Sequence, residues 1–444
     1  MNKEFHKKQN FFSFSDIDSE RKDRIMKFTS TEATPAPHVP PGVLRLTGAA
    51  KEDIPMYRIQ TMNKISPVGL NRFPSELYEV GDAVQDPQGI LVRSAKLLEL
   101  EFNPGLLAIA RAGVGVNNIP LDRCAAAGIP VFSTPGANAN AVKELVICAM
   151  LMGSRDIPGA IRWVREQAAS GVDVSTVVEK GKSAFIGPEL YKKTLGIIGL
   201  GAIGSIVANT AISLGMDVYG YDPFLSVDTA LRLDRHVHVV KDINDLYKRS
   251  DYITMHIHYT EKTAHMIDAD AIAAMKRGVR VINLARGEIV DDEAMLTALD
   301  TGMVAAYITD FPNNRLLTAP HVIAMPHLGA STPESEQNCA AMAVDTLRDY
   351  LESGNIRSSV NLPEMTMDRS GVQRLCVLHK NVPGMLANIT SLFGRDGVNV
   401  ENLSNKSRGD YAYTMVDLGS KVGDNVIEDV RRTANVIRVR SLEW

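Results

Sequence analysis

The segment TLGIIGLGAIG, residues 194–204, decides the fold. Its apolar first half reads as a strand, and apolar residues at helical spacing follow its glycine-rich second half. In a strand–turn–helix unit of this kind, Gly199 permits the tight turn and Gly201 lets a pyrophosphate approach the backbone. Gly204 lets the helix pack closely against the strand. The segment therefore predicts a dinucleotide-binding turn.

The next predicted strand supplies the second part of this site. The strand MDVYGYD (216–222) ends in Asp222, close to the spacing of about 20 residues that such sites show. The carboxylate can accept hydrogen bonds from ribose hydroxyls and would repel a 2′-phosphate, which favours NAD over NADP. The free amides at the helix start, at Ala202 and Ile203, can bind the pyrophosphate.

Further strands alternate with helices on both sides of this turn. The apolar runs are GILVRSA (89–95), LLAIARAGVGV (106–116), GIPVFSTPG (128–136), DYITMHIH (251–258), VRVINLAR (279–286) and VAAYITD (304–310). This alternation is typical of doubly wound parallel sheets. Because the glycine turn lies well inside the chain, we predict an NAD-binding Rossmann domain over 151–324. A substrate-binding domain over 55–150 and 325–356 would surround it.

The two ends of the chain differ in character. Residues 1–54 are polar and end in a proline-rich stretch, so we predict a flexible extension, with Met56 as an alternative start. Residues 357–372 are predicted to be a linker. The last segment, 373–444, has strand and helix patterns in the order βαββαβ and is predicted to be a separate small domain.

Composition narrows the class of protein. The formal net charge is −4, which gives no reason to expect a nucleic-acid or membrane partner. The four cysteines are widely spaced, and the start lacks an apolar signal segment, so we expect a cytoplasmic location. His256 and His258 alternate on one strand, but two ligands are too few for a metal site, and we expect none.

Several ordered motifs together carry a family resemblance. They are VRSA (92–95), RAGVGVNNI (111–119), GLGAIG (199–204), YDP (221–223), NLARGEIVDD (283–292) and PHLGAST (326–332). With these motifs the chain resembles the D-2-hydroxyacid dehydrogenase family over roughly residues 57–444. It resembles in particular the members that oxidise 3-phospho-D-glycerate to 3-phosphohydroxypyruvate with NAD, the first step of L-serine biosynthesis.

The resemblance implies two catalytic residues. Arg286 would hold the substrate carboxylate and carbonyl, and its position after a predicted strand agrees, because open α/β sheets bind ligands at that edge. A planar guanidinium also suits a carboxylate. His327 would be the acid/base, and imidazole titrates near neutral pH.

The resemblance implies further contacts around these two residues. Arg93 and Ser94 match the family's substrate-binding pair, and Asn138 could face the same cleft. The remaining cofactor contacts implied are Leu284, Ala285, Asp310, Gly329 and Ala330.

One position departs from the family's pattern. The glutamate that normally pairs with the catalytic histidine is replaced by Asn314, and the loop that follows is short. An asparagine can orient an imidazole but cannot stabilise its charged form as a carboxylate does. Either another acid such as Asp310 serves, or the base is weaker. Two alternatives therefore stay open: a dehydrogenase of another D-2-hydroxy acid, and a catalytically weak, NAD-binding amino-acid sensor.

The C-terminal unit resembles the ACT regulatory domain. His379, Asn381 and Asn399 match positions that bind serine in serine-inhibited members of the family, so L-serine is a predicted effector. A plain dimerisation module without a ligand is the alternative. Because such units usually pair, a homodimer or homotetramer is expected.

Overall fold

The computed structural model describes residues 56–444. The predicted extension over 1–54 lies outside the described residues. The proposal that Met56 is the start therefore stays a prediction.

The first sheet consists of five parallel strands in the order β2-β1-β3-β4-β5. The strands are β1 (Tyr57–Met62), β2 (Tyr78–Gly81), β3 (Gly89–Val92), β4 (Ala108–Arg111) and β5 (Val131–Phe132). The helices along this part of the chain are α1 (Pro67–Leu70), α2 (Leu121–Ala126) and α3 (Ala139–Arg155). All four residues of β3 are buried, as expected for a parallel strand covered on both faces.

The second sheet has seven parallel strands in the order β12-β11-β10-β9-β6-β7-β8. The strands are β6 (Thr194–Ile198), β7 (Asp217–Tyr221), β8 (Val237–Val240), β9 (Tyr252–Met255), β10 (Val279–Asn283), β11 (Val304–Thr309) and β12 (Val322–Ala324). The helices are α4 (Ile157–Ala169), α5 (Val174–Gly181), α6 (Ala202–Ser213), α7 (Val227–Ala230), α8 (Ile243–Arg249), α9 (Ala269–Ala273) and α10 (Asp292–Asp300). Strand β6 lies between β7 and β9, so the strand order reverses beside the glycine turn, where open sheets bind ligands.

The helix α11 (Pro333–Ser353) returns the chain to the first sheet. Thr332 caps its start, Pro333 occupies the first turn, and Gly354 ends it in the left-handed conformation at φ 76°.

The C-terminal sheet is antiparallel, with strand order β14-β15-β13-β16. Its elements are β13 (Gln373–Lys380), α12 (Met385–Arg395), β14 (Val400–Arg408), β15 (Tyr411–Leu418), α13 (Asp424–Arg432) and β16 (Val436–Glu443). The predicted fold class is thus confirmed: two parallel α/β sheets and a C-terminal βαββαβ unit.

The C-terminal unit is attached to the end of α11. Arg440 donates to the carbonyls of Tyr350 (3.0 Å) and Leu351 (2.9 Å), and Arg374 donates to that of Ser353 (2.8 Å). These carbonyls lie in the last turn of the helix, at the negative end of its dipole, so two guanidiniums are favourable there. Apolar side chains of the two units also share one buried core.

Among residues 56–444, no helix combines the length and apolar character that crossing a membrane requires.

Candidate active site

The three glycines of the turn meet different surroundings. Gly199 has φ 90°, and a Cβ there would lie 2.6 Å from the carbonyl oxygen of His256. A Cβ on Gly204 would lie 1.9 Å from the carbonyl oxygen of Gly199. A Cβ on Gly201 would meet no atom of the described chain within 4 Å. The outer glycines are therefore required by packing, while the middle one keeps space open that fits a pyrophosphate.

The other predicted cofactor contacts surround this space. Ala202 and Ile203 begin α6, and no side chain of the described residues caps that start. Asp222 follows β7, and its carboxylate accepts the amides of Leu200 (2.9 Å) and Phe224 (2.8 Å). These bonds fix the carboxylate beside the glycine turn and leave further lone pairs for ribose hydroxyls.

Arg286 follows β10 at the carboxyl edge of the second sheet. Leu284 is buried, and Ala285 donates its amide to the Asn283 side chain at 3.1 Å, which shapes the strand end. The Arg286 guanidinium donates to the Ala285 carbonyl (2.6 Å) and lies 5.9 Å from the ring centroid of Phe311. Its remaining N–H groups are available to an anion.

His327 contacts the same aromatic ring. The centroids of His327 and Phe311 lie 4.7 Å apart, so Phe311 is a common neighbour of the imidazole and the Arg286 guanidinium. His327 is exposed, and its ring nitrogens have no hydrogen-bond partner within the described chain. His327, Phe311 and Asp310 line a cleft of about 760 Å³. Arg286 lies beside this cleft, because its guanidinium is a neighbour of Phe311.

Asp310 fixes the loop that carries His327. One carboxylate oxygen accepts the amides of Leu328 (3.1 Å) and Gly329 (3.0 Å), the two residues after the histidine. The other oxygen is buried and has no partner among the described residues. Burial raises the pKa of Asp310, whereas the amide of Gly329 and the charge of His327 lower it. Ala330 follows in the same half-buried loop.

Asn314 does not line the cleft. It is exposed, and its neighbours Asn313 and Arg315 line the cleft in its place. The Asn313 side chain accepts the amides of Arg315 and Leu316, both at 3.1 Å, and so begins a short 3₁₀ turn. The shortened loop is stabilised locally by this turn. Asn314 is thus exposed between two residues that line the cleft, and its place in the catalytic set stays a prediction.

The substrate-binding pair lies at the edge of the first sheet. Arg93 follows β3 and forms an ion pair with Glu336, with 2.6 Å between Nη2 and Oε1. Ser94 donates its amide to the Asn63 side chain at 3.1 Å. Asn138 begins α3, and its side-chain oxygen is buried without a partner in the described part of the chain. That oxygen is a free acceptor for a ligand.

Arg111 is a site residue that the sequence reasoning missed. It ends β4 opposite Val92, and its Nε donates to the Arg93 carbonyl at 3.1 Å. A Cβ on Gly115 would lie 3.1 Å from Arg286 Nη2 and 4.0 Å from Arg111 Nη1, so both guanidiniums flank that position. Burial and the charges of Arg286 and Arg93 lower the pKa of Arg111. The signal that pointed to Arg93, an arginine where a parallel strand ends, applies equally to Arg111.

The three predicted effector residues lie at two ends of the C-terminal sheet. His379 is buried, and its ring nitrogens lie 2.8 Å from the Lys380 carbonyl and from the Thr414 hydroxyl. Asn381 is close by and donates to the Gly409 carbonyl.

Asn399 precedes β14 at the opposite end of the sheet, where its side chain donates to Glu401 at 2.9 Å. Within one chain, Asn399 is therefore not brought together with His379 and Asn381.

The strand that suggested a metal site ends beside the glycine turn. The ring of His256 lies 3.2 Å from the Thr254 hydroxyl, and burial lowers the pKa of His256 to about 4. Across residues 56–444, no three His, Cys, Asp or Glu side chains lie close enough together to hold a metal ion.

Comparison with known proteins identifies the family. Residues 147–329 match the family described as "D-isomer specific 2-hydroxyacid dehydrogenase, NAD binding domain". The chain is 32% identical to D-3-phosphoglycerate dehydrogenase of Escherichia coli (strain K12), over 82% of this chain and 89% of that protein. It is 36% identical to D-3-phosphoglycerate dehydrogenase of Synechocystis sp., over 71% of this chain. The chain spans only 56% of the length of the Synechocystis protein.

A solved structure agrees. The chain is similar to an NAD⁺-bound 3-phosphoglycerate dehydrogenase from Entamoeba histolytica, with a TM-score of 0.54 and 26% identity, over 69% of this chain and 99% of that chain. The chain belongs to the D-2-hydroxyacid dehydrogenase family. The predicted NAD cofactor is confirmed by these matches.

Proposed function

We propose that the protein oxidises 3-phospho-D-glycerate to 3-phosphohydroxypyruvate with NAD, the first step of L-serine biosynthesis. The hydroxy acid loses a hydride from C2 and a proton from its hydroxyl. NAD, when bound, accepts the hydride and leaves as NADH. The relatives named above as D-3-phosphoglycerate dehydrogenases support this substrate.

The residues around the cleft supply the other roles. Arg286 holds the substrate carboxylate and polarises the C2 oxygen through charge-assisted hydrogen bonds. His327 takes the hydroxyl proton. Arg93 and Ser94, which follow β3, and Asn138, which precedes α3, bind the far end of the substrate.

One observation carries this proposal: Arg93, Arg111 and Arg286 lie close together, and Arg286 shares its neighbour Phe311 with the exposed His327. Arg111 and Arg286 have no carboxylate within 4.0 Å in the described chain. Burial lowers the pKa of Arg111, and the nearby charges of Arg286 and Arg93 lower it further. Such a cluster is favourable only when an anion with several charges binds, since each guanidinium then gains a partner. The carboxylate and phosphate of 3-phosphoglycerate provide those charges.

We propose the following division of the chain. The substrate-binding domain comprises 55–150 and 325–356, the NAD-binding domain 151–324, the linker 357–372 and an ACT regulatory domain 373–444. The family match over 147–329 supports the second of these, and the βαββαβ order supports the last.

We also propose L-serine as the effector of the C-terminal unit. His379 and Asn381 would come from one copy of the chain and Asn399 from a second copy, because one copy holds them at opposite ends of its sheet. Calorimetric titration with L-serine, of the wild type and of the triple alanine variant, tests this. Binding that the triple variant loses is expected, and no binding to the wild type would contradict it.

A homodimer or homotetramer is part of the proposal. The nine-residue strand β14 forms one edge of its sheet and offers unpaired backbone groups to a second copy. Light scattering of the full chain would give the mass.

A cytoplasmic location fits the four cysteines, which are free thiols.

The reaction is tested by NADH absorbance with a panel of D-2-hydroxy acids. We expect NADH with 3-phospho-D-glycerate and a much lower rate with unphosphorylated analogues. No turnover with 3-phosphoglycerate would overturn the proposed substrate, and turnover of a different member of the panel would replace it.

A second candidate, a catalytically weak NAD-binding amino-acid sensor, is favoured by the absence of a hydrogen-bonded carboxylate beside His327 in the described chain. Restoring the family's residue separates the two. If a missing carboxylate limits the enzyme, Asn314→Glu raises or broadens activity around neutral pH. An unchanged pH–rate profile would count against that idea.

A further inference from the structure

One carboxylate lies beside the cluster formed by Arg93, Arg111 and Arg286 and has no role in the reaction described above. Glu336, in the first turn of α11, places Oε1 2.6 Å from Nη2 of Arg93. Of Arg93, Arg111 and Arg286, only Arg93 has an acidic partner among the described residues. The negative charge therefore lies on the guanidinium that is proposed to bind the far end of the substrate.

We propose that Glu336 is a specificity-determining residue, which occupies Arg93 in the substrate-free enzyme and weakens the preference for a phosphorylated hydroxy acid over an unphosphorylated one. This inference rests on the proposed function, since it assigns Arg93 to the end of the substrate distant from C2.

The physical basis is a competition for Arg93. A phosphate that binds Arg93 must displace or share the Glu336 carboxylate, and an exposed ion pair of this kind is worth about two- to fivefold in binding. The displaced carboxylate remains close and repels the dianionic phosphate. An unphosphorylated end group neither needs Arg93 nor experiences that repulsion. Glu336 therefore lowers affinity for the phosphorylated ligand selectively.

A purely structural role for Glu336 is not needed at this helix start. The Thr332 hydroxyl already accepts the Ser335 amide at 3.1 Å and caps the helix. Glu334 supplies another acidic side chain in the same first turn, where the helix dipole favours one. What distinguishes Glu336 from Glu334 is its contact with Arg93.

The same helix provides a matched control. Asp345 forms an ion pair with Arg72, also at 2.6 Å, with side-chain exposures of 46% and 47%. The corresponding exposures of Glu336 and Arg93 are 44% and 43%. Asp345 lies about 14 Å further along α11 by helical rise. Asp345→Asn therefore disrupts a similarly exposed ion pair, held by two hydrogen bonds, at a distance from Arg93.

The test measures ligand binding by calorimetry on the full chain saturated with NADH, which prevents turnover. The two ligands are 3-phospho-D-glycerate and D-glycerate, which differ only in the phosphate. We expect Glu336→Gln to bind 3-phosphoglycerate about fivefold more tightly and D-glycerate unchanged, with the gain reduced in high salt. Asp345→Asn and Glu334→Gln should bind both ligands as the wild type does.

Three results would overturn the inference: no gain in Glu336→Gln, an equal gain for D-glycerate, or the same gain in Asp345→Asn. The NADH assay of the wild type reports separately on the proposed function. If the wild type turns over 3-phosphoglycerate but Glu336→Gln binds it no more tightly, only the role of Glu336 is refuted. A tighter Glu336→Gln complex without wild-type turnover refutes the proposed reaction alone, and no binding of either ligand refutes both.

Discussion

The guanidiniums of Arg93, Arg111 and Arg286 lie close together because strands of two sheets end beside each other. Arg93 follows β3, Arg111 ends β4, and Arg286 follows β10. Arg93 and Arg286 could be selected from the sequence, because each stands where an apolar run stops. Arg111 also stands where an apolar run stops, so it could have been selected in the same way. The Arg93–Glu336 pair could not be predicted, because it joins residues that only the packing of α11 against the first sheet brings together.

Replacing Arg111 with methionine should raise KM for 3-phosphoglycerate by about tenfold and change kcat little. The reason is the loss of a charge-assisted contact made equally in the ground and transition states. Steady-state NADH kinetics measure both constants, with Arg72→Met as a surface control. An unchanged KM would remove Arg111 from the binding site.

A second single residue, Asp310, makes the stability of the fold depend on pH. Burial raises the pKa of Asp310, so its ionised form is less favourable in the folded state than in the unfolded chain. Protonated Asp310 therefore contributes to the stability of the fold. This contribution is fully present below the pKa of the unfolded chain, about 3.9, and is lost as the pH rises through the pKa of the folded state.

Asp310→Asn should therefore be more stable than the wild type at neutral pH and equally stable near about pH 4. Its activity should fall, because the charge near His327 is lost. Thermal unfolding across this pH range, with NADH rates alongside, tests the pair of effects. A variant that is less stable at every pH would contradict this account.

At the scale of elements, the glycine turn and the capped helices were predictable because their signals are local. The bounds of α11, for example, follow from Thr332 and Pro333 at its start and from Gly354 at its end. The short loop after Phe311 was different: its length alone could not show that the Asn313 side chain would begin a turn and leave Asn314 exposed.

The two glycine positions in the turn predict opposite phenotypes. Gly201→Ala meets no described protein atom, so the fold should keep its stability while NAD affinity falls about tenfold or more. Gly204→Ala would bring a Cβ to 1.9 Å from the Gly199 carbonyl oxygen and should destabilise the fold. NAD titration and thermal unfolding of both variants distinguish the roles. Equal losses of stability would argue against the assignment of Gly201.

At the scale of the whole molecule, α11 joins the active-site cleft to the C-terminal unit. Glu336 near its start contacts Arg93, while Arg440 and Arg374 hold its last carbonyls. The segment predicted as a linker, 357–372, also packs against β5. There Asn361 bonds to both neighbours of Pro130. None of this docking could be read from the sequence, because its contacts join segments far apart in the chain.

The buried ion pair between Arg374 and Asp417 in the C-terminal unit leads to a prediction about stability. Arg374 and Asp417 are fully buried, 2.6 Å apart, so Asp417→Asn leaves the guanidinium charge uncompensated. We expect a loss of about 3–5 kcal/mol in the free energy of unfolding. Trp163 and Trp444 report separately, since Trp444 lies against Arg374 and Trp163 lies in α4. Urea unfolding should shift for both tryptophans, and a shift confined to Trp444 would show that the C-terminal unit unfolds alone.

The proposed reaction passes a hydride from C2 of 3-phospho-D-glycerate to NAD beside Arg286 and His327. The most direct measurement uses substrate deuterated at C2 and analyses the reduced cofactor by mass spectrometry. We expect one deuterium on the nicotinamide of the reduced cofactor with the wild type. We expect no deuterated reduced cofactor with His327→Ala. Reduced cofactor without deuterium, or no reduced cofactor from the wild type, would contradict it.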